Sequence, residues 1–188
     1  MDLPRIASRL NSMRVRSDLW PGAMGTVEYI RRLATVDGMH ALDLNYPEHV
    51  SLKDVAEVRA MVEASGLAVS AINLRYEGHF DAGGFTHPDP AVRQRAVDFT
   101  CQAGEVATAL GCGEIVVWPS HDGFDYPFQM DYEAAWRGTV SALAEIADRL
   151  AGMRVAIEYK PTDPRRFSLL ANAGMSLLAI EEAGRANL

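Results

Sequence analysis

The stretch Arg154-Val155-Ala156-Ile157-Glu158-Tyr159-Lys160-Pro161 decides how this chain is read. A nearly continuous apolar run ends in a glutamate and a lysine, and a proline closes it. Runs of this kind mark strands covered on both faces, as in a parallel sheet. Val69-Ser70-Ala71-Ile72-Asn73 and Glu114-Ile115-Val116-Val117-Trp118 have the same character. Working outward from them, strands are predicted at Arg5–Asn11, Ala41–Tyr46, Ala68–Leu74, Glu114–Pro119 and Arg154–Lys160.

Helical patterns fill the intervals. They run over Thr26–Val36 with Thr26 as cap, and over Ser51–Ser65 with Ser51 as cap, Asp54 three residues on and Gly66 closing. Asp89–Leu110 carries Pro90 at its first helical position, a strong start signal. Asp131–Leu150 and Asn172–Ala183 follow, each with a glycine just beyond. Strands joined through helices run parallel, with right-handed crossovers.

A doubly wound open sheet and a (β/α)8 TIM barrel both fit this order. The strand ends separate them. Asn11 and Ser12, Asn45 and Tyr46, Asn73 and Arg75, Trp118 with His121 and Asp122, and finally Glu158 and Lys160 place polar or aromatic residues after every strand. An open sheet gathers its ligands at one crevice, whereas a barrel draws on many strand ends. No glycine-rich phosphate loop follows the first strand. The α/β chain is therefore read as a partial (β/α)8 barrel with about five β-α units. At 188 residues a unit takes roughly 38, and eight would take about 300. Residues 1–188 are accordingly expected to form one domain, the N-terminal portion of a barrel whose sixth strand would begin near Leu188.

Composition narrows the function. Eighteen Lys and Arg against 25 Asp and Glu leave a net charge of −7, the opposite of a nucleic-acid footprint. The hydrophobic fraction of 48% excludes a mainly disordered chain. No apolar run approaches the roughly 20 residues of a membrane helix, and residues 1–16 have no apolar signal core. Cys101 and Cys112 form no Cys-x-x-Cys pair and read as ordinary buried residues. The expectation is a cytoplasmic protein acting on a small molecule, with neither nucleic-acid nor membrane partner.

Several residues are candidates for chemistry. Alternation puts Glu158 and Lys160 on one face, where a carboxylate needs a cation; a mutual ion pair and a metal ligand beside a carbonyl-polarising lysine both satisfy that need. Trp118, His121 and Asp122 sit in a loop mixing aromatic and polar groups, as ligand clefts do. His121 is read as acid or base; Trp118, Asp122, Asn45, Arg75 and His79 are read as substrate contacts. Asp163-Pro164-Arg165-Arg166 either offers arginines to an anionic group or forms a turn with two solvated arginines. His40, His49 and His87 are read as surface or capping residues, Met61 and Met153 as core, and Asp2 and Arg16 as solvated.

Two runs carry a resemblance. Gly84-Phe85-Thr86-His87-Pro88-Asp89-Pro90-Ala91-Val92-Arg93 leads through Ala109-Leu110-Gly111 to Val116-Val117-Trp118, and Ile157-Glu158-Tyr159-Lys160-Pro161-Thr162-Asp163-Pro164-Arg165 follows. Their order and spacing resemble the xylose-isomerase-like TIM-barrel superfamily of sugar isomerases and epimerases. The resemblance implies a metal-dependent aldose–ketose isomerase. Glu158 would be a ligand of a divalent ion (Mn2+, Mg2+ or Co2+), Lys160 the stabiliser of the oxyanion, and Trp118 a wall of the sugar pocket. Asn45-Tyr46 stands where xylose isomerases carry a His-Asp pair, and Tyr159 replaces a proline, which points toward the L-rhamnose-isomerase-like branch. The family's other metal ligands would lie on strands after Leu188, so the isomerase is expected to be incomplete in this chain, which by itself is expected to bind a divalent ion weakly and to turn over no sugar. A sugar epimerase or polyol dehydratase on the same barrel is the alternative, and so is a non-catalytic half-barrel. Exposed strand edges imply a homo-oligomer or a missing C-terminal half.

Overall fold

The computed structural model describes residues 5–14, 18 and 25–188; Asp2 and Arg16, expected to be solvated, lie outside the described residues. Five strands form one parallel sheet in the order β1 (Ala7–Arg9), β2 (Ala41–Tyr46), β3 (Ala68–Leu74), β4 (Glu114–Val117) and β6 (Arg154–Ile157). Between them run α1 (Thr26–Ala34), α2 (Val55–Ser65), α3 (Pro90–Ala109) and α4 (Tyr132–Arg149), and α5 (Ala173–Ala183) follows. These are five units of a (β/α)8 barrel, side by side in chain order.

The outward faces of β2, β3, β4 and β6 bury Leu42, Leu44, Ile72, Leu74, Ile115, Val117 and Val155 against the helices. Full burial of such a side chain is worth about 1.5–3 kcal/mol, so this layer carries much of the stability. Helix starts follow local chemistry. Asp89 accepts a hydrogen bond from the Ala91 N–H at 2.8 Å with Pro90 in the first turn, and Asp131 and Asn172 accept likewise from Ala134 and Met175. Gly66 and Gly184 close their helices at positive φ, a conformation that costs glycine least.

Two starts differ from expectation. The α2 helix begins at Val55, because the Ser51 N–H and hydroxyl both bond Asp54 Oδ1 and make a separate turn. Thr26 gives α1 no side-chain cap; its hydroxyl donates to the His49 carbonyl at 2.8 Å, tying α1 to the end of β2.

Three strands are shorter than predicted. After Arg9 the chain turns into a 3-10 helix, Leu10–Arg14, which sinks Leu10 into the core. The β4 strand stops at Val117, just before Trp118 and the ladder-breaking Pro119. The β6 strand stops at Ile157, although the Glu158 N–H still bonds the Val117 carbonyl. An antiparallel pair, β5 (Gly123–Phe124) and β7 (Phe167–Ser168), lies outside the predicted elements. It links the loops after β4 and β6 through stacked Phe124 and Phe167 rings 5.1 Å apart. Gly123 is required there, since a Cβ would stand 2.2 Å from the Phe167 carbonyl oxygen. On the free side of β6, the Val155 N–H bonds the Asn187 carbonyl, so the chain returns to the sheet edge after α5.

The sheet is curved. β1 and β6 are its opposite edges, yet Arg9 Nη2 lies 3.8 Å from Glu158 Oε2. The inner face between them is polar: Ser70 donates to Asp43, and Arg154 pairs with Glu114 at 2.7 Å. Cys101 and Cys112 are buried and free, and burial raises both thiols above their usual pKa. Met153 is buried and Met61 packs against the core. Among the described residues no helix is long and apolar enough to cross a membrane.

Candidate active site

The C-terminal ends of the strands converge on Trp118. Lys160 Nζ lies 3.5 Å from the centre of the Trp118 ring, and the Arg75 guanidinium carbon lies 5.9 Å from it. Contacts this close are worth about 0.5–2 kcal/mol and hold a cation over an apolar wall. Trp118, Asp122, Glu158 and Lys160 line one small pocket with Pro119, Ser168 and Leu170. Arg75 also lines a neighbouring cleft of about 500 Å³, together with Arg14, Glu48, Glu77 and His79. A cleft of that size suits a small ligand. Glu158 and Lys160 do not pair with each other. Glu158 faces Arg9, and Lys160 faces Asp163 at 3.4 Å.

Of the residues singled out in the sequence, Glu158, Lys160 and Trp118 share a pocket, and Arg75 and His79 line the neighbouring cleft, where His79 packs against Phe99 at 5.0 Å. Three others are redirected. Asn45 is 1% exposed, and its amide donates to Asn11 Oδ1 and to Glu48 Oε2 at 2.8 Å. It positions Glu48 rather than meeting a ligand. Asp122 is 4% exposed and accepts from the backbone N–H groups of Gly84, Phe85 and Thr86 and from the Thr86 hydroxyl. Its carboxylate anchors the loop after β3. His121 turns from the Glu158 pocket toward Asp81, 3.7 Å away, and Ser120.

The Arg165 side chain is likewise engaged within the protein. Arg165 pairs with Asp125 at 2.8 Å and donates to the Asp81 carbonyl, while the Arg166 N–H bonds Asp125 as well. These bonds hold Asp125 below the usual carboxylate range. Arg165 staples three loops instead of receiving an anion.

Sequence reasoning misses Arg9, Arg14 and Glu48. Arg9 sits on the face of β1 that continues to Asn11, and that alternation is its one available signal. Glu48 follows Tyr46-Pro47 directly after a strand end. Burial works to raise the Glu48 pKa, but the Asn45 amide and the charges of His49, Arg14 and Arg75 bring it below its ordinary value.

His49 is buried rather than superficial. Its Nδ1 accepts the Asn45 N–H at 3.0 Å, and in the same way His40 and His87 accept from Ile6 and Asp89. Burial lowers the His49 pKa; Glu48 works against this, while Arg14 and Arg75 add to it. A histidine kept neutral in the fold contributes stability above its unfolded pKa, about 6.5. That stability is lost as pH falls from there through the lower folded value. The thermal midpoint is therefore expected to drop below about pH 6.5, and His49→Gln, whose amide oxygen still accepts, to flatten that acid limb in a melting series. An unchanged limb in His49→Gln would discard the assignment.

A divalent cation of this kind takes about six oxygen ligands. Among the described residues no group of three His, Cys, Asp or Glu side chains comes together. Glu158, with a guanidinium beside it, does not by itself make a cation site.

Residues 31–185 match the family described as xylose isomerase-like TIM barrel. The chain belongs to that family. It is 30% identical to the xylose isomerase of Thermus thermophilus over 137 residues, 70% of this chain and 35% of that one, and to the xylose isomerase of Thermus caldophilus to the same extent. The chain thus spans about a third of the length of these relatives. Its fold is shared with a D-allulose 3-epimerase from a Methylomonas species, solved with D-allulose, at a TM-score of 0.72 and 20% identity over 100% of this chain and 62% of that one. A family 2 AP endonuclease from Brucella melitensis superposes at 0.74 with 19% identity, covering 98% and 66%. Membership of the xylose isomerase-like family agrees with the partial barrel.

Proposed function

We propose that this chain contributes to a sugar-converting site of the aldose–ketose isomerase type. The observation that carries the reading is the convergence of Glu158 and Lys160 on Trp118 at the C-terminal ends of β4 and β6. Lys160 holds a positive charge where a substrate carbonyl oxygen gains negative charge, and such preorganised charge favours the transition state over the ground state. Trp118 offers a flat apolar wall to the C–H face of a sugar. Glu48, set by Asn45, and His79 line the cleft in which the rest of the molecule lies. Glu158 is the carboxylate this chain offers to a divalent ion (Mn2+, Mg2+ or Co2+); among the described residues no further acids complete the coordination. The identity to xylose isomerases supports isomerisation.

Epimerisation beside a ketose carbonyl is the second reading. Asn45 and Tyr46 are both buried, with the Tyr46 hydroxyl bonded to Gln102 at 2.9 Å, so the end of β2 supplies no acid–base pair for ring opening. Incubating the protein with pentoses and hexoses and Mn2+ in D2O, followed by proton NMR, tests both. The expected result is a new aldose, ketose or epimer signal that Glu158→Gln abolishes. No conversion in any sample, or conversion indifferent to Glu158→Gln, would overturn the reading and leave a non-catalytic barrel segment.

A further inference from the structure

The cations on the rim of this site are nearly all matched. Arg9 faces Glu158, Arg14 faces Glu48 at 3.1 Å, Lys160 faces Asp163 and Arg165 faces Asp125. Arg75 differs. It is half-buried, it lies over Trp118, and among the described residues no carboxylate stands within ion-pair distance of it. Its backbone N–H bonds the Tyr46 carbonyl, so the pleat of β3 runs on past Leu74 and Arg75 keeps the face of Asn73. Asn73 is 6% exposed, and its Nδ2 has no hydrogen-bond partner. A buried donor left without an acceptor costs about 1–3 kcal/mol. Register pairs Asn73 with Asn45 on the inner side of the sheet.

Two successive positions of one strand face thus present donors without acceptors, and the outer of them, Arg75, lines a cleft of ligand size. An arginine fork matches the paired oxygens of a carboxylate or phosphate, and a neutral hydroxyl uses only part of it. We propose that Arg75, with Asn73 beneath it, recognises an anionic group, so that the sugar taken by this site carries a terminal carboxylate or phosphate. This inference rests on the sugar reading above.

Calorimetric titration of the protein with glucose, gluconate, glucose 6-phosphate and inorganic phosphate tests it. The expected result is about tenfold or more tighter binding of gluconate or glucose 6-phosphate than of glucose, weakening with salt. Arg75→Gln should abolish that preference, so that acidic and neutral sugars bind alike, and Arg75→Lys, which keeps the charge without the fork, should retain part of it. The tighter of the two acids names the group. Equal binding of acidic and neutral sugars, or a preference that survives Arg75→Gln, would overturn the inference and leave the sugar reading standing. Arg75-dependent binding of inorganic phosphate with no sugar bound would uphold the anion site and overturn the sugar reading. No binding of any probe would overturn both.

Discussion

Asp122→Ala lowers the stability of this protein by about 3–5 kcal/mol, the largest expected loss from one side chain. The carboxylate is buried and accepts from three consecutive backbone N–H groups, at 2.8 Å from Gly84, 3.1 Å from Phe85 and 2.9 Å from Thr86, and from the Thr86 hydroxyl. Bonds to a charged acceptor are worth about 1.5–3 kcal/mol each, and an orphaned buried donor costs about 1–3. The sum is not reached, because burial opposes the charge: it pushes the Asp122 pKa up while the four donors pull it down. The loop is also tightly fitted. A Cβ on Gly83 would meet the Thr86 hydroxyl at 2.9 Å, and Gly83 has φ of 101°, so the backbone has little room to find other acceptors. At roughly 2–4 °C per kcal/mol for a chain of this size, the melting midpoint falls by about 10 °C. Asp122→Asn keeps one carbonyl oxygen and is expected to lose about half as much. Circular-dichroism melts and urea titrations of both variants measure this, and a loss under about 1 kcal/mol in Asp122→Ala would show that the loop stands without its anchor.

On the proposed sugar-converting reading, Lys160→Met is expected to lower turnover by about 100- to 1000-fold while changing KM little. Lys160 Nζ is held against Trp118 at 3.5 Å and its ion-pair partner, Asp163, is itself exposed. The ammonium thus sits beside an apolar wall with only a solvated counter-ion, and its interaction strengthens as charge grows on a substrate oxygen. Methionine keeps the length and the apolar contact with the indole and removes only the charge. Steady-state kinetics of both proteins on the sugar identified by NMR decide the matter. Unchanged kcat would remove Lys160 from the chemistry, and a raised KM with unchanged kcat would make it a binding residue.

Much of the fold is legible residue by residue, because the signals are local. Asp89-Pro90 starts α3 through a bond spanning two residues, and Gly66 and Gly184 end their helices through their own backbone freedom. The apolar runs at Ala68–Leu74 and Arg154–Ile157 become strands since each has two faces to cover. Strand ends that carry Trp118, Glu158 and Lys160 in one register already imply a shared mouth in a barrel.

The fate of a polar side chain is another matter, since its partner arrives from a distant part of the chain. Asp122 and Asn45 look like ligand contacts in isolation, and loop closure from Gly84–Thr86 and from Glu48 buries them. Arg165 looks like an anion site until Asp125 and the Asp81 carbonyl meet it. Arg9 gains meaning only when the curvature of the sheet brings the first strand within 3.8 Å of Glu158 beyond the last. Helix caps and strand patterns are thus determined by neighbours along the chain. Which charges stay available to a ligand is decided by the closure of the arc, because an ion pair depends on distance in space and not on order in sequence.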